Sequence, residues 1–164
     1  MMIFGKRLKF KKDLKMKTYE KTTLIKCDVK ELFDFHLDVE NLKVISPKYI
    51  QVTLLNESFI PKEGEVLRLK TVKNFLTIMW EVKIAKLQSP NLLVDLAIKS
   101  PFAFWEHSHI FTQKQDGFCE LRDVVAYKAP FGVIGSIFDF VIEYELDKMF
   151  TFRHKITKEK LEEK

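Results

Sequence analysis

Pro101-Phe102-Ala103-Phe104-Trp105-Glu106-His107-Ser108-His109-Ile110-Phe111 is the stretch whose reading decides the fold. β-type residues dominate it, and successive side chains of a strand point to opposite faces. Trp105, His107, His109 and Phe111 therefore share one face, while Phe104, Glu106, Ser108 and Ile110 take the other. Gln115-Asp116-Gly117 reads as a three-residue hairpin loop in which Gly117 supplies the positive φ that the turn needs. Pairing back across that loop sets Phe111 opposite Leu121, His109 opposite Asp123, His107 opposite Val125 and Trp105 opposite Tyr127. A slip of one residue would flip a strand and mix the faces, so the hydrophobic pattern selects this register. The product is an apolar wall carrying a few polar groups, the usual lining of a pocket for a mostly apolar small molecule.

Around this stretch, 164 residues with 46% hydrophobic content suffice for one domain with a substantial core and are too few for two. Fifteen Phe against five Gly argue against disorder. No apolar run approaches the roughly 20 residues that a membrane-spanning helix needs. Cys27 and Cys119 are too few for a disulfide framework, so the expectation is reduced, structural thiols in the cytoplasm. The two could still meet if the first strand lies antiparallel beside the last.

The formal charge of +5 is uneven: residues 1–17 hold seven Lys or Arg against Asp13 alone, which leaves the remainder slightly acidic. A basic face for nucleic acid is therefore not expected. The reading divides the chain into a basic, disordered tail over 1–17 and a ligand-binding domain over 18–164. The tail interleaves its cations with Ile3, Phe4, Leu8, Phe10 and Leu14. It reads as a solvated tail, or as an amphipathic segment making peripheral contact with anionic lipid, and Met16 offers an alternative start of translation.

Thr18 to Cys27 suits a first strand, Asp28 can cap a helix over Val29 to His36, and a second short helix spans about Val39 to Ile45 before Ser46-Pro47. Strands follow over Tyr49 to Asn56, Glu65 to Lys73, Leu76 to Leu87, Leu92 to Ile98, Pro101 to Gln113 and Phe118 to Lys128, separated by turn signals. From Val133 to about Glu163, Ile134, Phe138, Val141, Met149, Phe152 and Ile156 recur at three- and four-residue steps, which predicts one long helix. The fold class is α+β: a curved antiparallel sheet of about seven strands, two short helices after strand 1, and a long C-terminal helix across the concave face.

That order resembles the helix-grip fold of the START-like, or SRPBCC, superfamily, with its pollen-allergen-like and polyketide-cyclase-like members. The similarity is nearest to small bacterial members, some labelled cell-division inhibitors. It rests on Phe35-His36, Asn41-Leu42, Ser46-Pro47, Pro101-Phe102, Trp105-x-His107-x-His109-x-Phe111, Asp123, Tyr127, Pro130, Gly132, Phe150 and Arg153. Ser100 departs from the pattern, where a glycine is expected. The resemblance implies a cavity between sheet and helix for a lipid, isoprenoid or polyketide-like molecule, and implies no particular chemistry.

Within that frame, Trp80, Trp105, His107, His109, Phe111, Asp123, Tyr127 and Phe138 are the candidate ligand-binding residues. Trp80, Trp105 and Tyr127 either stack on a flat ligand or serve as plain core. Asp123 opposite His109 either orients a general base, with Tyr127 as donor, or simply satisfies a buried imidazole. His107-x-His109 has a metal-ligand step, with His36 or Asp123 conceivable beside it. An HxH step alone is a weak signal, and neither metal nor cofactor is expected. Arg153 is expected to pair with an acid on the sheet, or to meet an anionic headgroup. His154 in the last helix is expected to be a solvated or helix-end residue. Three functions follow: a soluble binding protein for a hydrophobic molecule, favoured; a cyclase or dehydratase using His109 and Asp123; and a non-catalytic regulatory interaction protein. The sequence leaves the oligomeric state open.

Overall fold

The computed structural model describes residues 16–130 and 139–163. Seven strands form one antiparallel sheet in the order β1-β7-β6-β5-β4-β3-β2. They are β1 Lys17–Lys26, β2 Ile50–Leu54, β3 Val66–Lys73, β4 Leu76–Gln88, β5 Leu92–Lys99, β6 Phe104–Gln113 and β7 Phe118–Lys128. The helices α1 Val29–Leu37 and α2 Asn41–Val44 follow β1, and α3 Asp139–Glu162 ends the chain. Most of the basic tail, Phe138 and the expected start of the last helix lie outside the described residues.

The β6–β7 ladder has the register that the alternation requires, with Trp105 opposite Tyr127, His107 opposite Val125, His109 opposite Asp123 and Phe111 opposite Leu121. Lys114 N–H donates to Phe118 O at 2.7 Å and closes the loop, in which Asp116 (φ 58°) and Gly117 (φ 74°) are both left-handed. Glycine takes that region freely and aspartate tolerates it.

Local hydrogen bonds explain where elements differ from the expected bounds. β6 begins at Phe104, not Pro101, because Ser100 Oγ accepts from Phe102 N–H at 3.2 Å and holds residues 100–102 in a turn. The serine that departs from the expected glycine thus builds the strand entry. Helix α2 starts at Asn41, not Val39, because the Asp38 carboxylate accepts from Glu40 N–H at 3.0 Å and forms a turn ahead of it. Helix α1 starts where expected, with Asp28 Oδ1 accepting from Lys30 N–H at 2.7 Å. It buries Leu32 and Phe33 against Ile25, Phe111, Leu121 and Leu161, which fills one end of the molecule.

Helix α3 runs for 24 residues, about 36 Å at 1.5 Å per residue. Asp139, Glu143, Asp147 and Thr151 recur every fourth residue and so share one edge of it. Lys17 meets Asp139 at 3.1 Å and Glu143 at 2.9 Å, and Lys21 meets Asp147 at 3.1 Å and Thr151 at 2.7 Å, which lays this edge along β1. On the opposite flank Lys73 of β3 pairs with Glu145. The helix therefore bridges the concave side. Its buried stripe is Leu146, Phe150, His154, Thr157 and Leu161. The apolar stripe expected from periodicity is rotated away from it, and Val141 is 41% exposed.

The β1–β7 ladder sets Ile25 opposite Cys119, whose Sγ donates to Cys27 O at 3.1 Å, and both thiols are free. Burial pushes the Cys27 thiol up to about 12 and raises Cys119 as well. Since the thiolate is the reactive form, neither cysteine should react appreciably with an aromatic disulfide reagent at pH 8 until the protein is unfolded. A fast-reacting thiol in the folded protein would contradict this packing.

Candidate ligand cavity

Between the sheet and α3 lies a hollow in two compartments. The outer has a volume of about 370 Å³ and the inner about 110 Å³. Leu42, Leu67, Val82, Asp95, His107 and Arg153 line both, so the two meet at those side chains.

The outer compartment is apolar because the inward phase of β3 and β4 presents Leu67, Leu69, Ile78, Trp80 and Val82, and α3 presents Ile142, Leu146 and Met149. Trp80, Phe102 and Trp105 form an aromatic corner, with Phe102 4.8 Å from Trp105 and Trp80 5.7 Å from Trp105 between ring centroids. The Trp80 indole N–H donates to Thr71 Oγ1 at 3.2 Å, which fixes that ring at the wall.

The inner compartment gathers the polar groups. Asp123, 2% exposed on β7, contacts three imidazoles. Its Oδ1 accepts from His107 Nε2–H at 3.0 Å and lies 2.8 Å from His109 Nδ1, while Oδ2 accepts from His154 Nε2–H at 2.8 Å. The His109 contact is an ion pair whose angle falls short of an aligned hydrogen bond. Burial opposes a charge on either partner. The Asp123 carboxylate nonetheless outweighs it and, helped by Asp95 at 3.4 Å, raises His109 to about 9. Reciprocally, the charges of His109 and His107 hold Asp123 well below the usual carboxylate range against its burial. Burial and the neighbouring His109 cation lower His107. His36 falls to about 4 for the same two reasons, and its Nδ1–H donates to Leu32 O at 2.8 Å, leaving Nε2 as the lone-pair nitrogen.

This arrangement revises the sequence expectations. His109 and Asp123 do meet, and the raised value of His109, about 9, favours its protonated form near neutral pH. Tyr127 and Phe111 are fully buried, and neither is among the residues lining the two compartments. Tyr127 packs edge-on to Phe102, and Phe111 packs edge-on to Phe33 in the closed end. Trp80, Trp105, His107, His109 and Asp123 all line the hollow, whereas Phe138 is outside the described residues. His154, expected to be solvated or at a helix end, instead lies inside α3 and is 2% exposed because Asp123 and Thr23 supply its partners. Arg153 makes no ion pair with an acid among the described residues, and its Nε has no hydrogen-bond partner.

Sequence reasoning passed over Asp95 and Thr157. Asp95 carried a signal, since it is a lone acid in phase with Leu93 in the apolar run Leu92-Leu93-Val94-Asp95-Leu96. Asp95, His107 and His109 offer a carboxylate oxygen and two nitrogens within 4.8 Å of one another. A cation there would have to displace the His109 proton.

No family model matches the chain, and no curated protein sequence matches it. Solved structures do match. The Zhui aromatase/cyclase from Streptomyces sp. R1128 superposes with a TM-score of 0.72 at 14% identity, covering 90% of this chain and 94% of that one. A START superfamily protein from Mycobacterium smegmatis gives 0.66 at 12% identity, covering 89% and 97%. Ara h 8.0201 gives 0.61 at 12% identity, covering 87% and 98%. Identities this low speak for the backbone and not for the chemistry. With its seven-stranded sheet, paired short helices and long closing helix, the chain has the START-like helix-grip fold.

Proposed function

We propose that this chain is a binding protein that reversibly holds a hydrophobic small molecule, of lipid, isoprenoid or polyketide-like kind, between the sheet and α3. The observation that carries the reading is the outer compartment: about 370 Å³, apolar, with an aromatic corner at one wall and polar groups gathered at its inner end. Its size lies within the roughly 300 to 1,000 Å³ common for ligand pockets, and a mostly apolar wall with a few convergent polar groups is the usual binding-site character. The two free cysteines support placing the protein in a reducing cytoplasm. Binding is favoured over turnover because the inner imidazoles are committed: His107, His109 and His154 all contact Asp123, and the pair expected to act as base and orienter is a protonated donor with its counter-ion.

Native mass spectrometry of the protein purified from its own host tests this. A hydrophobic molecule should travel with the folded protein and be released on denaturation. Its return to ligand-stripped protein should change the emission of Trp80 and Trp105, because both indoles line the compartment. Protein that carries nothing, and takes up nothing from a lipid extract of the same cells, would end the proposal.

A further inference from the structure

The inner compartment has more hydrogen-bonding capacity than the protein itself uses. Arg153 and Thr157 stand one turn apart on α3 and both line it. Among the described residues, Arg153 Nε has no hydrogen-bond partner, and Thr157, 1% exposed, has a hydroxyl with none. Buried polar groups in native proteins are almost always hydrogen-bonded, so two orphans converging on one space point to a group that arrives from outside. Charge says which kind. The Asp123 carboxylate is engaged by three imidazoles, and Arg153 is left as a cation with no carboxylate at ion-pair distance among the described residues. A guanidinium presents parallel N–H groups that match a planar oxyanion.

Size gives the rest. At about 110 Å³ the inner compartment is less than a third the size of the outer one at about 370 Å³, which assigns the smaller polar head to the inner and the bulkier tail to the outer. The apolar outer compartment adjoins it at Arg153, which lines both. We infer that the ligand is an amphiphilic carboxylic acid, its carboxylate held by Arg153 and Thr157 in the inner compartment and its hydrocarbon part in the outer one. This rests on the binding reading above and narrows it. A phosphate dianion fits less well, because Asp95 and Asp123 line the same space and repel a second negative charge.

Dodecanoate and dodecan-1-ol, titrated separately into ligand-stripped wild-type protein and followed by calorimetry at pH 7, test the head against a common tail. Dodecanoate should bind at least about tenfold tighter, the usual worth of one charge-assisted hydrogen bond. Arg153→Met should bring the two affinities within about twofold of each other. Thr157→Val should reduce the preference about threefold. Equal affinities in the wild type would overturn the carboxylate assignment and leave the hydrophobic pocket standing. Binding of neither would remove both. The wild-type comparison decides the matter even if a variant fails to fold.

Discussion

Asp123→Ala lowers the unfolding free energy by about 3 to 5 kcal/mol, because removing one member of a buried charge cluster leaves the others unpaired. Three imidazoles lose their common acceptor at once: His107 and His154 lose hydrogen bonds of 3.0 and 2.8 Å, and His109 loses the anion that keeps it charged. In a domain of this size each kcal/mol moves the midpoint by roughly 2 to 4 °C, so the melting temperature should fall by about 6 to 20 °C. Asp123→Asn keeps one acceptor oxygen and the side-chain volume and should lose about half as much. Thermal and urea unfolding monitored by circular dichroism measure both. A loss under about 1 kcal/mol for Asp123→Ala would mean that the cluster is incidental to the fold.

The second large effect is a loss of stability in alkali. His109 titrates near 6.5 when unfolded and about 9 when folded. A raised folded value means that the native state holds a proton which the unfolded chain releases between those limits. The contribution of His109 is thus fully present below pH 6.5 and is lost as pH rises to 9. Its size is on the order of 3 kcal/mol. The depressed groups act on the acid side. His36, lowered to about 4, and His107 contribute fully above pH 6.5 and less as pH falls below it, and Asp123 loses its contribution as pH drops beneath the ordinary carboxylate range. Stability should therefore peak near pH 6.5 and fall on both sides. His109→Gln should flatten the limb between 6.5 and 9 and also shrink the acid limb, because the His109 charge is one of the causes that lower His36, His107 and Asp123. The groups facing His109 are Asp95 on β5, His107 on β6, Asp123 on β7 and His36 on α1, with Arg153 and His154 of α3 lining the same space. An urea-unfolding energy that is level from pH 6.5 to 9 in the wild type would refute the assignment.

Much of this molecule was legible in local patterns. Alternation from Trp105 to Phe111 and the Asp116-Gly117 turn gave the β6–β7 register residue for residue, because side-chain direction along a strand repeats every second position whatever lies opposite. Asp28 gave the start of α1, since a cap is a contact between near neighbours. The long helix was read correctly, but its buried stripe was not. Reading its apolar residues skipped His154 and Thr157, both buried in the stripe that faces the sheet. A polar side chain becomes a core residue only when a partner waits for it, and the partner of His154 is 31 positions away on β7.

The same limit divides the site. By itself the sequence determined the order of elements, the inward face of β6 and β7, and the meeting of His109 with Asp123, since these follow from chain period and turn chemistry. Only the tertiary structure decided which aromatic residues fill the closed end and which line the hollow, that Asp123 and Asp95 raise the His109 pKa, and that Arg153 Nε and the Thr157 hydroxyl, on residues lining the inner compartment, have no hydrogen-bond partner among the described residues. Burial and long-range charge set those outcomes, and both depend on what α3 brings down upon the sheet.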